Sequence, residues 1–385
     1  MNAALLHDAP GSPTLQDKGG AETSVSVSVI VTTYNQADTI GRTLDSILMQ
    51  QCHVPVEIVI GEDCSTDGTL AICQTYAARH PDRILLMANK PNKGFVNNYF
   101  DCLFAAHGTY IADCAGDDWW TDPLKLEKQV RILEAHPDVS IVHTNWRYAV
   151  SEKGEGREGK ERKERKERKE GKEGASAAEG GVRFVRAPRP LTEAPFVEGR
   201  SLLEHILTPT NRPVIHLCTS LYRASLARQA HDAHRSLFRN SAYDCEDVQL
   251  SYFLAKEGRV AYLSDVTLAY SWGGESLSCS TDYVRLFRFY RRAAQLTFDM
   301  ASQEHMLTPH VVAYLQQKVF ELQMDAFRTH RRDLRDEANA LPQLWGIAET
   351  GKTRLLRCLT STPPTWTLAL AFRGVIIALT RVLPR

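Results

Sequence analysis

A chain of 385 residues, 43% of them hydrophobic and 24% charged, is long enough for one large domain with additions or for two smaller ones, each with a real core. Its 46 basic and 46 acidic residues cancel, which excludes a nucleic-acid binder working through bulk charge. The nine cysteines are scattered, with no Cys-x-x-Cys pair and no His/Cys cluster at zinc-ligand spacing, so a disulfide framework is excluded and a reducing compartment is expected.

Met1 to Thr23 mixes Asp, Pro, Gly and Lys without a basic start and apolar core; it reads as a disordered tail rather than a secretory signal, and the protein is expected in the cytoplasm. Order begins at Ser24. The run to Val29-Ile30-Val31 predicts a strand buried on both faces, and Asp38 is placed to cap a helix through Ile40, Leu44, Ile47 and Leu48. A second strand, Val56 to Ile60, completes a βαβ unit and runs into the polar loop Gly61 to Thr69. A helix over Leu70 to Ala78, a strand at Ile84 to Met87 and a helix opened by Asn92-Lys93-Gly94 follow. The next apolar run ends at Tyr110-Ile111. Loops after Val31, Ile60 and Ile111 should therefore collect at one edge of a parallel sheet, where open α/β folds bind ligands.

Ala112 to Trp120 carries Asp117 and Asp118 into that edge. Adjacent carboxylates repel unless something positive lies beside them, and a hard divalent cation carrying phosphate oxygens is the usual solution; the alternative is a solvated turn that caps the helix near Pro123. Asp63 at the end of the second strand could accept the N–H of a uracil ring, or be a turn residue before Ser65-Thr66-Asp67-Gly68. Tyr243 to Leu250 holds a second acidic pair, Glu246-Asp247, at the start of a helix, either complementing its dipole or serving as a general base.

Three segments in fixed order, Val27 to Asn35, Glu57 to Thr69 and Tyr110 to Asp118, resemble the family 2 glycosyltransferases of the GT-A fold, closely over Ser24 to Ala149 and more loosely to Ser280. The resemblance implies an α/β domain, residues 24–280, with a Rossmann-like, mostly parallel sheet flanked by helices, and a nucleotide-sugar donor bound across the sheet edge, a UDP-sugar being the first choice. It places Thr33 and Tyr34 against the nucleoside, Asp63 on the base, Asp117 near the sugar or ribose and Asp118 on a Mg²⁺ or Mn²⁺. It also assigns the general base of an inverting transfer to Asp247, with Glu246 second. Glu62 stands where the family often has Asp. In Tyr270-Ser271-Trp272-Gly273-Gly274 the family's closing motif lacks its Arg and His, leaving waters to complete a metal shell.

Residues 151–182 interrupt this domain with a Glu-Arg-Lys repeat that holds no core and reads as a disordered or transiently helical insertion. Phe196 to Leu207 predicts a short helix and Ile215 to Arg223 a strand, whose His216 is expected in the core or facing an acceptor rather than on a metal. From Thr281 a helical region extends to Arg385. Arg285, Arg288 and Arg292 share one face, as do Arg328, Arg331, Arg332 and Arg335. Residues 366–383 form an amphipathic helix suited either to a membrane interface or to packing on the domain. The function expected is sugar transfer to a hydroxyl of a glycan or lipid-linked acceptor in surface polysaccharide assembly, at the cytoplasmic face of the inner membrane, without nucleic acid. A silent nucleotide-sugar binding or scaffold protein is the rival, and a dinucleotide oxidoreductase is disfavoured because no Gly-x-Gly-x-x-Gly turn follows the first strand.

Overall fold

The computed structural model describes residues 26–151, 176–179, 182–210, 212–240, 242–243, 245–272 and 282–371. The N-terminal tail, most of the charged insertion, the segment after Trp272 and the chain beyond Ala371 lie outside the described residues.

The first half alternates as expected: β1 (Val27–Thr33), α1 (Ile40–Leu48), β2 (Val56–Glu62), α2 (Thr69–Arg79), β3 (Ile84–Ala88), α3 (Phe95–Ala105) and β4 (Tyr110–Asp113). After these come β5 (Trp119–Trp120), α4 (Lys125–Ala135), β6 (Val139–Ser151), β7 (Ser176–Glu179), β8 (Val182–Arg186), β9 (Phe196–Glu198), α5 (Leu203–Leu207) and β10 (Leu221–Arg223). The remainder is α6 (Ala224–Ala233), α7 (Arg235–Phe238), α8 (Asp247–Glu257), β11 (Arg259–Trp272) and the helices α9 (Tyr283–Gln303), α10 (Pro309–Thr329), α11 (Arg332–Leu344), α12 (Gly351–Leu359) and α13 (Pro363–Ala371).

The sheet runs β3-β2-β1-β4-β10-β6-β11-β5, with β1 to β4, β6 and β11 pointing one way and β10 and β5 opposed. This is the α/β architecture expected, with a mostly parallel sheet, flanking helices and a helical extension. Every residue of β1 is buried, and its alternation divides two cores. Val27, Val29 and Val31 pack with Ile40, Leu44 and Ile47 of α1 and with Leu126 and Val130 of α4. Ile30 packs on the other face with Tyr99, Phe100 and Leu103 of α3 and Leu250 and Leu254 of α8.

Several local expectations are corrected. Trp119-Trp120 is a short strand, pairing with Ala269 and Leu268, rather than a loop. Ile215 to Arg223 is not one strand but a 3-10 turn, Leu217–Thr219, followed by β10, because the Thr219 and Ser220 hydroxyls donate back to the His216 carbonyl (2.7 and 3.0 Å) and compete with an extended chain. Phe196 to Leu207 begins as β9, paired with β11, before it turns helical. Asp38 does not cap α1: it is exposed, and the N-cap is Thr39, whose hydroxyl bonds the Gly116 carbonyl instead (2.9 Å). The arginines from 328 to 335 do not share a face. The chain turns at His330 (φ 55°), ending α10, and Arg328, Arg331 and Arg335 pair with Asp325, Asp333 and Asp336. Near the end of the charged insertion, Ser176–Glu179 pairs with β8, so backbone bonding extends structure where side chains alone predicted none. At the C-terminus Trp366 and Ala369 of α13 are buried with Phe327 and Leu356. No helix among the described residues is long and apolar enough to cross a membrane.

Candidate active site

Three loops meet around Thr33. Its carbonyl accepts the Asp63 amide (3.0 Å), joining the end of β1 to the loop after β2. Its hydroxyl donates to Gln36 Oε1 (2.8 Å). On the other side, a Cβ built on Gly116 would lie 2.8 Å from Thr33 Oγ1 and 2.3 Å from Gln36 Oε1, so only glycine permits the acid-bearing turn after β4 to come this close. The Ser65-Thr66-Asp67 turn is laced to the same place. Asn35, in the left-handed region (φ 53°), donates its amide to Ser65 Oγ (2.9 Å) and accepts from the Thr66 amide (2.8 Å), while Asp67 accepts from the amides of Thr69 (2.9 Å) and Ala37 (3.1 Å). Tyr34 stands outside this lacing, half exposed.

Asp63 is buried and its carboxylate is well occupied. One oxygen accepts from Asn89 Nδ2 (3.0 Å) and the Lys93 amide (2.8 Å), the other from the Gly94 amide (2.9 Å). The residue therefore clamps the loop before α3, and any base contact would use lone pairs these donors leave. Glu62, the departure from the family pattern, is fully buried; one oxygen accepts the Ser65 amide (2.7 Å) and Oε2 has no partner.

Asp117 and Asp118 sit on the Gly116 turn, half-buried and fully buried respectively. The Thr43 hydroxyl holds the turn from α1 through the carbonyls of Asp118 (2.6 Å) and Gly116 (3.1 Å). Ser271, at the end of β11, holds it from the other side. Its amide donates to Asp118 Oδ1 (2.8 Å) and its hydroxyl to the Asp117 carbonyl. The residue in the place of the family's Arg thus anchors both acids, a role invisible in sequence because 153 positions separate it from Asp118. Asp118 Oδ2 is buried without a partner. Burial pushes the Asp118 carboxyl well above the usual range and Asp117 adds to the shift, while the Ser271 amide, the Cys218 thiol and Arg42 oppose it. Asp117 is also raised by burial, with Arg42 pulling it down. Arg42, on the outer face of α1 with its guanidinium 3.4 Å from the centre of the Trp119 ring, is the cation that sequence reasoning missed. An unpartnered buried carboxylate oxygen beside a second acid fits a hard divalent cation, which would displace the proton that burial retains.

The second acidic pair opens α8. Glu246 is buried and half-buried Asp247 begins the helix. Glu246 is raised well above the carboxylate range by burial, then by Asp247 and by Asp113 at the end of β4. Asp247 is raised by burial, its own backbone surroundings opposing the shift. Asp113 bonds Tyr99 Oη (2.7 Å), which meets Tyr222 Oη (2.6 Å). Glu246 acts electrostatically on Asp113 and on both tyrosines. His216 packs on Trp146 and Tyr270 (5.0 Å to each ring) and is pulled down to about 4 by burial and Arg212, a neutral aromatic contact rather than a ligand.

Residues 28–187 match the model of the Glycosyl transferase family 2. The putative glycosyltransferase EpsE of Bacillus subtilis is 44% identical over 118 residues, 31% of this chain and 42% of that protein. The Escherichia coli UDP-Glc:alpha-D-GlcNAc-diphosphoundecaprenol beta-1,3-glucosyltransferase WfaP is 35% identical over 108 residues, 28% of this chain and 41% of that protein. The chain thus spans less than half the length of these relatives. Staphylococcus aureus TarS 1-349, solved with UDP-GlcNAc, aligns at a TM-score of 0.45 and 16% identity, over 84% of this chain and 93% of that one. The matched residues include those that build the Thr33 junction and the Asp117-Asp118 turn, and over this stretch the chain is similar to glycosyl transferase family 2.

Proposed function

We propose that the protein is a glycosyltransferase that moves a sugar from a nucleoside-diphosphate donor, a UDP-sugar first, to a hydroxyl of a glycan or lipid-linked acceptor with inversion at the anomeric carbon. The observation that carries the reading is Asp118: a buried carboxylate at a strand end, one oxygen fixed by Ser271, the other unpartnered, with a second acid beside it and Arg42 nearby. Asp118, supported by Asp117, would hold a Mg²⁺ or Mn²⁺; such an ion supplies charge neutralisation for a departing diphosphate. Thr33 and Tyr34 would border the nucleoside, and Asp63 would meet the base through its remaining lone pairs.

Asp247 is the proposed base. The acceptor oxygen bonds to the anomeric carbon as Asp247 takes its proton, the bond from that carbon to the diphosphate oxygen breaks, and the electron pair leaves with the diphosphate. Attack opposite the leaving group inverts the centre. Its raised position makes Asp247 a stronger proton acceptor than an exposed carboxylate, and the more deeply buried Glu246 is the second choice. WfaP, by its name, takes a UDP-sugar and a lipid-diphosphate-linked sugar, which supports that acceptor class here and a place at the cytoplasmic membrane surface. The chain beyond α13 would make the peripheral contact.

The test is a thermal-stability screen of UDP-, GDP- and dTDP-sugars with and without Mn²⁺, followed by assay of sugar hydrolysis or transfer for the stabilising donor. Metal-dependent stabilisation with product supports the proposal. Stabilisation without product leaves a nucleotide-sugar binding protein, and no stabilisation by any donor overturns the reading.

A further inference from the structure

The linker between α1 and β2, Gln50 to Pro55, has no regular structure and lies at the end of the sheet remote from the loops above, since the Val27 amide opening β1 bonds the Pro55 carbonyl (2.9 Å). Two consecutive residues of this linker face α4. The Cys52 thiol, a His53 ring nitrogen and the Glu127 carboxylate offer one ligand atom each, all within 4.8 Å of one another. Ligands about 2.0–2.3 Å from a tetrahedral zinc ion stand roughly 3.3–3.8 Å apart, so small side-chain movements would close this set around one ion.

The surroundings of His53 add a second observation. Its Nδ1 lies 2.6 Å from Glu127 Oε2, and its Nε2 lies 3.3 Å from Glu134 Oε2, about two turns further along α4. The backbone amide of His53 also bonds Glu127 (3.0 Å), which fixes the linker against the helix, and Arg131 holds the other Glu127 oxygen (2.7 Å). A carboxylate on the far ring nitrogen is the arrangement that orients histidine on zinc. A thiolate and a carboxylate would supply two negative charges to match a divalent ion.

We propose that Cys52, His53 and Glu127 form a zinc site, with Glu134 orienting His53, which clips the α1–β2 linker to α4. Sulfur and imidazole ligands select zinc over the Mg²⁺ or Mn²⁺ expected at Asp118. A water completes the fourth position.

The experiment titrates metal-free full-length protein with Co²⁺, then with Zn²⁺. The expected result is a thiolate-to-cobalt charge-transfer absorption in wild type, abolished by stoichiometric Zn²⁺ and missing from Cys52→Ser, with Zn²⁺ raising the unfolding temperature of wild type only. Glu134→Gln should bind about 10- to 100-fold more weakly. If Cys52→Ser does not fold by circular dichroism, His53→Ala replaces it, retaining the thiol and losing at least about tenfold in affinity, as loss of a ligand requires. Absence of the band in wild type overturns the proposal. So does a band of equal strength in folded Cys52→Ser, which would come from another thiol. Neither outcome bears on sugar transfer, whose acids lie at the opposite sheet edge.

Discussion

The chain carries two adjacent acidic pairs, Asp117-Asp118 and Glu246-Asp247, and each contains one fully hidden acid and one half-buried acid. Their settings differ. The first sits on a glycine turn, tied by hydroxyls and an amide from α1 and β11, within reach of the Arg42 charge and with one oxygen unpartnered. The second opens a helix, has no cation among the charges that act on it, and faces Asp113 and two tyrosines. Like dipeptides are thus fitted for different tasks: a pair in a tied turn with one carboxylate oxygen left over is fitted to hold a cation, and a pair at a helix start with no cation acting on it is fitted to take a proton.

The comparison breaks first at Asp118. Asp118→Asn should lower transfer by about 10³-fold or more, the scale of losing a charge-stabilising group, while thermal unfolding shows the fold unharmed or steadier; near-normal transfer would remove the metal assignment. Next, Asp247→Asn should cost about 10²- to 10⁴-fold in kcat, and Glu246→Gln much less. Because the folded Asp247 carboxyl is raised, wild-type rate should climb with pH as that group loses its proton, a limb absent in Asp247→Asn. A reversed ranking of the two variants would transfer the base to Glu246. Ser271→Ala, which keeps the amide on Asp118 and loses only the hydroxyl on the Asp117 carbonyl, should weaken Mn²⁺ binding by less than about tenfold, below the scale of losing a bond to a metal ligand, measured by titrating metal against activity.

A smaller effect separates the two pairs by pH. Asp113, between them, is raised to about 7 by burial, so the folded state keeps a proton that the unfolded state gives up near the usual carboxylate value. Stability from this group is complete at acid pH and declines as pH rises toward 7. Asp113→Asn should therefore raise the unfolding temperature more at pH 8 than at pH 5, and an equal change at both would show that Asp113 titrates normally.

Much of the first pair's setting was legible because strand, turn and acid are contiguous. The apolar run of Val29 to Val31, the turn chemistry of Ser65 to Gly68 and the Asp-Asp after Ile111 each act over a few residues, and short-range preferences of this kind survive folding. What escaped were partners supplied from afar. Arg42 carries no mark in the sequence, and its place over Trp119 appears only in the fold. Ser271 read as a lost Arg, and nothing in the sequence joins Cys52 and His53 to Glu127 of α4. The Arg328 to Arg335 stripe failed for the opposite reason: a periodicity that fits one helix says nothing about a left-handed residue, His330, that divides it into two. Likewise the Thr219 and Ser220 hydroxyls outcompeted the apolar pattern of Ile215 to Tyr222.

The Ser271 anchor also sets a timetable for synthesis. A ribosome that has finished β4 has already emitted both acids and the glycine that seats them, yet the amide that fixes Asp118 is made only with the last residues of β11. During that interval the nascent chain holds two close carboxylates on a turn tied only from the β1 and α1 side, and the pocket matures late, after the distant strand docks beside β6. A chain released early, or stalled within the charged repeat, would carry every residue matched to the family up to that point and still lack the second anchor.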